Sequence, residues 1–302
     1  MEAGAKLSSV LEGIVEVNWL SVHRGAVDRN SRYAREEEFD SAVDQKIYEI
    51  SRKFSTYFSL LASRVSEESK QFQEQVFLSL LERDQNTISG MMSEQDDPEE
   101  RNSVIGVLRD LGVPQAKATR SVNSHYAKFE AAKKLLRDEQ KLTADTAATL
   151  SDTRRMRQLV AKWKSFNDAR EKIYRPRTSF ETIMNSLFSG KELHFDQRNI
   201  PTIHLLRGDQ ARIDSLSSGE KQLFILLGEA LLQEGRPVVF ISDEPELSLH
   251  VAWQSVLFEN VRKLNPSCQI ICATHSPDIV GHFQDRVIQV EDCFFECSVG
   301  LN

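Results

Sequence analysis

Three short stretches in the last third of this 302-residue chain carry residue types that can hold a phosphate and activate water beside it. The first, Leu216-Ser217-Ser218-Gly219-Glu220-Lys221-Gln222, opens an apolar helix through Leu223–Leu232 that ends at Gly235, with Pro237 just beyond. Free backbone N–H groups and the positive dipole end at such a start attract anions. The same residues also describe a capping box, Ser217 as N-cap and Glu220 three residues later, which needs no ligand. In the second stretch, Val238-Val239-Phe240-Ile241 reads as a central parallel strand, and it ends in Ser242-Asp243-Glu244-Pro245. Two adjacent carboxylates at the end of a buried strand are costly unless paired or metal-bound. Open α/β sheets place their ligands at that strand end. The division of labour this suggests puts Asp243 on Mg²⁺ through water and Glu244 on the attacking water, although strands ending in Asp-Glu also occur without function. The third stretch, Cys272-Ala273-Thr274-His275-Ser276-Pro277, is another apolar strand running into a histidine, with Ser276 and Pro277 opening the next helix as N-cap and first residue. A lone histidine is more often structural. At the end of a neighbouring strand it could instead reach the ligand of Glu244 and hydrogen-bond a terminal phosphate.

In this order and spacing the three stretches resemble a known family. Ser215–Asp292 is similar to the C-terminal lobe of the ABC-type ATPases: Leu216–Gln222 looks like their signature, Val238–Glu244 like their Walker B, Glu246–His250 like their D-loop and His275 like their switch histidine. Within that group, Asp-Glu-Pro-Glu-Leu-Ser-Leu-His followed by Ala-Thr-His-Ser-Pro is most similar to the AAA-like ATP-binding proteins. These include the OLD-type ATPases and the ATPases of bacterial antiphage systems such as Septu and some retrons. The D-loop departs from that of transporters by ending in His250 rather than aspartate. Upstream, the strand around Trp19–Arg24 and the helical arm from Phe39 to Leu81 look like the part that follows the family's Q-loop.

The resemblance implies an α/β fold, a partial P-loop NTPase core with a parallel sheet plus a large helical insertion. It implies ATP and Mg²⁺ as cofactors and a head-to-tail dimer, each ATP held by Walker A and B of one lobe and the signature of the other. Ser217, Ser218, Gly219 and Glu220 would then face a partner's ATP, Asp243 would hold Mg²⁺ through water, and Glu244 and His275 would be catalytic. A Walker A loop, Gly-x4-Gly-Lys-Ser/Thr, is missing. The one Gly-Lys pair, Gly190-Lys191, is followed by Glu192, with Asn185 where the first glycine belongs. Three explanations compete: a fragment whose earlier residues carry the loop, completion by a second polypeptide, or a degenerate subunit that no longer hydrolyses ATP. The intact Walker B and switch residues favour the first two.

The elements that must position these groups follow from periodicity. Val15–His23 reads as a strand. Phe39, Val43, Ile47, Ile50, Phe54, Phe58, Leu61 and Val65 form a helical stripe, continued by Phe72, Val76, Leu80 and Leu81. Glu94–Arg101, acidic and containing Pro98, predicts an exposed connection. Further helices follow from Val104, from Val122 to Lys141 and from Asp152 to Tyr174, the last stopping near Pro176. A short helix over Phe180–Phe188 precedes strands at Glu192–Phe195 and Thr202–Leu206, the latter closed by a turn at Arg207-Gly208-Asp209. From Leu216 the order helix, strand, helix, strand, helix, strand predicts a parallel sheet. Residues 1–33 and 179–302 are thus assigned to the ATPase core, and 34–178 to the helical insertion.

Composition is that of an ordinary soluble domain, with 40% hydrophobic and 27% charged residues. No run is long enough to span a membrane and no secretion signal opens the chain, so a cytoplasmic protein is expected. Net charge is −7, but residues 115–178 hold 16 basic and 7 acidic side chains. That block is either a solvated arm or a contact for DNA, RNA or an acidic protein, through residues such as Arg154, Arg155, Arg157, Lys162 and Lys164. Cys268, Cys272, Cys293 and Cys297 are expected to be free thiols rather than zinc ligands, with Cys272 in a buried strand. The leading function is an ATPase subunit, a homodimer or a complex with a Walker A-bearing chain, gating an effector protein. The alternatives are a non-hydrolysing scaffold with vestigial ATP motifs and an SMC-like DNA-repair ATPase. The latter requires a longer coiled coil than these interrupted stripes predict.

Overall fold

Long helices dominate the element order of the protein, a computed structural model that describes residues 16–20, 41–81, 98–139 and 143–290. The elements are β1 (Glu16–Leu20), α1 (Ala42–Leu81), α2 (Pro98–Asp110), α3 (Gln115–Glu139), α4 (Ala144–Leu187), β2 (Lys191–Phe195), β3 (Pro201–Leu205), β4 (Gln210–Arg212), α5 (Ser218–Leu232), β5 (Val238–Asp243), α6 (Val251–Gln254), α7 (Leu257–Leu264), β6 (Gln269–Ala273) and α8 (Pro277–Val280). The chain divides into two compact units, residues 1–60 with 175–302, and residues 61–174. The boundaries fall inside α1 and α4. The fold class is α/β, a small parallel sheet with a large helical part.

The first unit carries two three-stranded sheets. β1, β5 and β6 pair in parallel with β5 in the middle; β2, β3 and β4 are antiparallel. On β5, Val238, Phe240 and Ser242 are buried, while Val239 and Ile241 on the other face are only half-buried. α5 is buried along nearly its whole length and is the central helix of the unit. Its Gly228 allows α1 to come close: a Cβ there would meet Ile50 and Phe54 at 3.0 and 3.1 Å. Phe54 is the aromatic hub, with ring centroids 4.9 Å from Phe180 of α4 and 5.6 Å from both Phe195 of β2 and Phe224 of α5. Two ion pairs join α1 to α5, Lys46–Glu229 and Lys221–Asp44, each at 2.7 Å.

The second unit has its own apolar core. Val104, Val122, Tyr126, Phe129, Leu136 and Leu150 are buried together, with Ile105, Leu108, Met156 and Val160 packed against them. Several of the basic side chains named above are held within it. Arg157 pairs with Glu100, Lys162 donates to the Gln75 carbonyl and Lys164 to the Ser103 hydroxyl. Trp163 and Phe166 pack with Phe72 at 5.6 and 5.3 Å.

Three expectations are corrected. α4 does not stop at Pro176 but runs through it to Leu187. An interior proline costs about 3 kcal/mol, and burial of Phe180, Ile183 and Met184 on the same helix outweighs that. Arg177, one residue on, is anchored to Glu181, Asn199 and the Phe195 carbonyl. Pro98–Arg101 is not a connection: Pro98 opens α2, at the position where a missing N–H costs nothing. β6 is not a buried strand, since Gln269, Ile271 and Ala273 are exposed and Cys272 half-buried. Among the described residues it lies at the edge of the sheet, so its apolar run has a described neighbour on one side only. After α8 the chain makes a 3-10 turn over Gly281–Arg286, and residues 291–302, toward which the third strand of the predicted alternation would run, lie outside the described residues. Met1–Val15, Phe39, Cys293 and Cys297 lie outside the described residues. Among those described, no helix is long and apolar enough to cross a membrane.

Candidate functional site

β5 and β6 run side by side in register, Ser242 opposite Cys272 and Asp243 opposite Ala273, so both chains leave the sheet at one edge. Asp243 is exposed there. The next residue, Glu244, donates its backbone N–H to the Ala273 carbonyl at 2.8 Å and turns into the left-handed region with φ 45°. A non-glycine residue held there costs about 1–2 kcal/mol, and such strain clusters at functional sites. The Glu244 side chain is 35% exposed, and its Oε1 lies 3.6 Å from Nε2 of His275. The His275 ring is 92% exposed. The two groups the sequence marked at separate strand ends are thus brought together, beside Asp243.

The loop between Pro245 and His250 is tied on both sides. Gln222 of α5 donates to the Pro245 carbonyl at 2.8 Å. Ser248, itself left-handed with φ 70°, places its carbonyl over Gly219, where a Cβ would stand 2.3 Å from it. Only glycine fits that contact. On the other side, Thr274 Oγ1 and the backbone N–H groups of His275 and Ser276 donate to Glu246 Oε1 at 2.7, 2.9 and 3.2 Å. Ser276 caps α8 by accepting from the Asp278 and Ile279 N–H groups and donates to Gln254 at 2.7 Å.

At the start of α5 the capping reading is realised. Glu220 accepts from the Ser217 N–H at 2.9 Å, from the Ser217 hydroxyl at 2.8 Å and from Lys191 at 3.0 Å. Burial raises the Glu220 carboxyl, but the Ser217 N–H, Lys191 and the Ser217 hydroxyl outweigh it and hold it below its ordinary value. Gly219 and Glu220 are buried, whereas Ser217 and Ser218 are exposed. Lys191, rejected as a phosphate-loop lysine, sits on β2 as the partner of this carboxylate. Asp44 behaves likewise: burial raises it, and Lys221 and Ser41 more than reverse the effect. The Cys272 thiol, behind the rim, is pushed up to about 12 by burial and by the charges of Glu246 and Asp243, so it is an inert thiol.

Periodicity and motif reading missed Glu246 as a hydrogen-bond hub, together with Gln222, Gln254 and Lys191. The carboxylate in Asp-Glu-Pro-Glu was visible, but nothing in sequence says that its acceptors meet residues 274–276. No three His, Cys, Asp or Glu side chains among the described residues are grouped to hold an ion by themselves. Asp243, exposed at the rim, fits a Mg²⁺ ion held through water, since that ion keeps several of its waters and takes phosphate oxygens as further ligands.

Known proteins similar to this chain include ATP-binding proteins. Over 107 residues the chain is 33% identical to the zinc import ATP-binding protein ZnuC of Wigglesworthia glossinidia brevipalpis, covering 35% of this chain and 44% of that protein. Over 108 residues it is 30% identical to the phosphonates import ATP-binding protein PhnC of Bdellovibrio bacteriovorus, covering 35% and 40%. The chain therefore matches less than half the length of these relatives. Among solved structures, the Smc head domain with an extended coiled coil, bound to the C-terminal domain of ScpA from Pyrococcus furiosus, aligns over 78% of this chain and 50% of that one at 17% identity, with a TM-score of 0.29. Residues 27–280 match the AAA ATPase domain family, AAA_15, and with most of its length inside that match the chain belongs to this family.

Proposed function

We propose that this chain is the hydrolytic half of an ATPase of the AAA/ABC type, working as a head-to-tail dimer with itself or with a chain that supplies the glycine-rich phosphate loop. The observation that carries the reading is the approach of Glu244 and His275 to 3.6 Å at the common end of two parallel strands, with Asp243 beside them. In this reading Asp243 would hold Mg²⁺ through water, and the ion would supply neutralisation of phosphate charge. Glu244 accepts the proton of the attacking water, and His275 donates to the terminal phosphate. Ser217 and Ser218, exposed at the N-terminus of α5, face the nucleotide of the partner.

The parallel sheet supports a supplied phosphate-loop unit. Among the described residues β6 is an edge strand, and they cover the face of Ile241 and Ile271 only in part, Ile271 being half-exposed. Parallel sheets are ordinarily covered on both faces. A strand–loop–helix unit laid along β6 would cover that face and bring its phosphate cradle to the rim. The similarity of Asp243–His250 and Ala273–Pro277 to OLD-type and antiphage ATPases supports a role in bacterial defence, ATP-driven opening and closing of the dimer gating a partner effector. The test is ATP turnover of the native assembly against Glu244→Gln, which keeps shape but removes the base. The expected loss is about 10²- to 10⁴-fold with nucleotide binding retained. Equal, near-zero turnover in both would favour a scaffold.

A further inference from the structure

The rim residues have few contacts of their own, so something behind them must set where they stand. Thr274, His275 and Ser276 belong to no helix or strand, and no ladder fixes their backbone. Instead three consecutive residues give a donor each to one oxygen, Glu246 Oε1, at 2.7, 2.9 and 3.2 Å. An ionised acceptor makes such bonds stronger than neutral ones. Glu246 Oε2 is buried without a hydrogen-bond partner among the described residues. A buried oxygen left unpaired is costly, so the carboxylate is not at this position for local stability alone. The far end of the same stretch is anchored independently, Ser276 to Gln254 and Gln254 to the Leu249 carbonyl at 3.0 Å. Glu246 itself stands in the loop that rests on α5 through Gln222–Pro245 and Gly219–Ser248.

We propose that Glu246 is a positioning residue: it holds the backbone of His275 so that the exposed imidazole stays against Glu244, and it links that imidazole to the N-terminus of α5. Displacement of Ser217–Gly219 by a bound partner is carried by the Ser248 and Pro245 carbonyls into the loop, and by Glu246 into His275. The catalytic side of this inference rests on the ATPase reading above; the hydrogen-bond clamp does not.

The experiment compares Glu246→Ala and Glu246→Gln, alone and with His275→Ala, in the native assembly. It follows amide hydrogen exchange of residues 274–276, thermal stability, and turnover. In Glu246→Ala the His275 and Ser276 amides should exchange about tenfold or more faster, as local opening becomes easier. Turnover should fall about tenfold or more, and the double variant should be no slower than His275→Ala. Glu246→Gln, which keeps an accepting oxygen, should recover to within about threefold of the parent. Turnover unchanged in Glu246→Ala, or losses that simply multiply in the double variant, would overturn the proposal even with faster exchange. Absence of any Glu244-dependent turnover in the parent would defeat the ATPase reading instead. The clamp would then stand or fall on exchange: protection lost in Glu246→Ala upholds it, and unchanged protection refutes it.

Discussion

The start of α5 and the rim of β5 and β6 both carry acidic side chains, and the structure treats them in opposite ways. At α5, Glu220 is buried and accepts from Ser217 and Lys191, so the positive end of the helix is already partly neutralised by its own chain. At the rim, Asp243 is exposed, Glu244 is held in a left-handed conformation, and His275 stands almost free in solvent. One region is arranged for its own stability. The other keeps charge and strain unrelieved, the condition expected where a ligand completes the structure. A phosphate arriving at α5 meets a helix start whose Ser217 donors are already given to Glu220, whereas one arriving at the rim meets two carboxylates and needs a cation between.

Substitutions can separate the two. The largest effect is expected in turnover, from Glu244→Gln, and the contrast lies in stability. Because the rim is exposed, this variant should unfold within about 0.5 kcal/mol of the parent in urea, with only catalysis lost. Gly219→Ala should do the reverse of a clean catalytic lesion. Its Cβ would stand 2.3 Å from the Ser248 carbonyl, backbone against backbone with no flexible side chain to yield. Overpacking of this kind costs about 1–3 kcal/mol. A parent-like urea midpoint for Gly219→Ala would mean that the loop over α5 is loosely held, and the comparison would lose its first half.

How much of this was legible beforehand depends on the range of the interaction. Ser217, Ser276 and Pro277 declare themselves through local chemistry, because caps lie within three residues of what they cap. The strand ends at Asp243 and His275 were readable because an apolar run breaks abruptly into polar residues. Long-range partners were not. Thr274 to Glu246 spans 28 residues, Lys191 to Glu220 spans 29 and Lys221 to Asp44 spans 177, and no periodicity encodes which elements meet. Pro176 misled for a related reason: its local penalty was plain, while the packing of Phe180 and Met184 that overrides it is tertiary. β6 was misjudged because an apolar run has the same composition at the edge of a sheet as in its middle.

A smaller effect should appear on acidification. Glu220 and Asp44 are both held below their ordinary values of 4.5 and 3.8. Their contribution is therefore fully present above those values and is lost as pH falls through the lowered folded-state values. Stability should begin to decline below about pH 4.5, and Glu220→Gln should flatten that limb while costing about 1 kcal/mol at neutral pH through the weakened cap. Urea unfolding between pH 3 and 7, about the range over which these carboxyls titrate, gives the measurement. An unaltered acid limb in Glu220→Gln would mean that the α5 cap is not the ionised network described.

The smallest expected effect tests the other half of the comparison. If Glu244 is held at φ 45° for the sake of the ligand, a residue that accepts that conformation freely should relieve strain. Glu244→Gly removes about 1–2 kcal/mol of left-handed strain and adds back about 0.5–1 kcal/mol through the greater freedom of glycine in the unfolded chain. The net expectation is a variant without turnover whose stability matches or exceeds the parent by up to about 1.5 kcal/mol. Urea midpoints of Glu244→Gly and Glu244→Gln side by side isolate the backbone term, since both remove the carboxylate and only one removes the Cβ. Should the glycine variant instead be the weaker of the two, the Glu244 side chain would be stabilising its own turn, and the rim would no longer count as strain kept for chemistry.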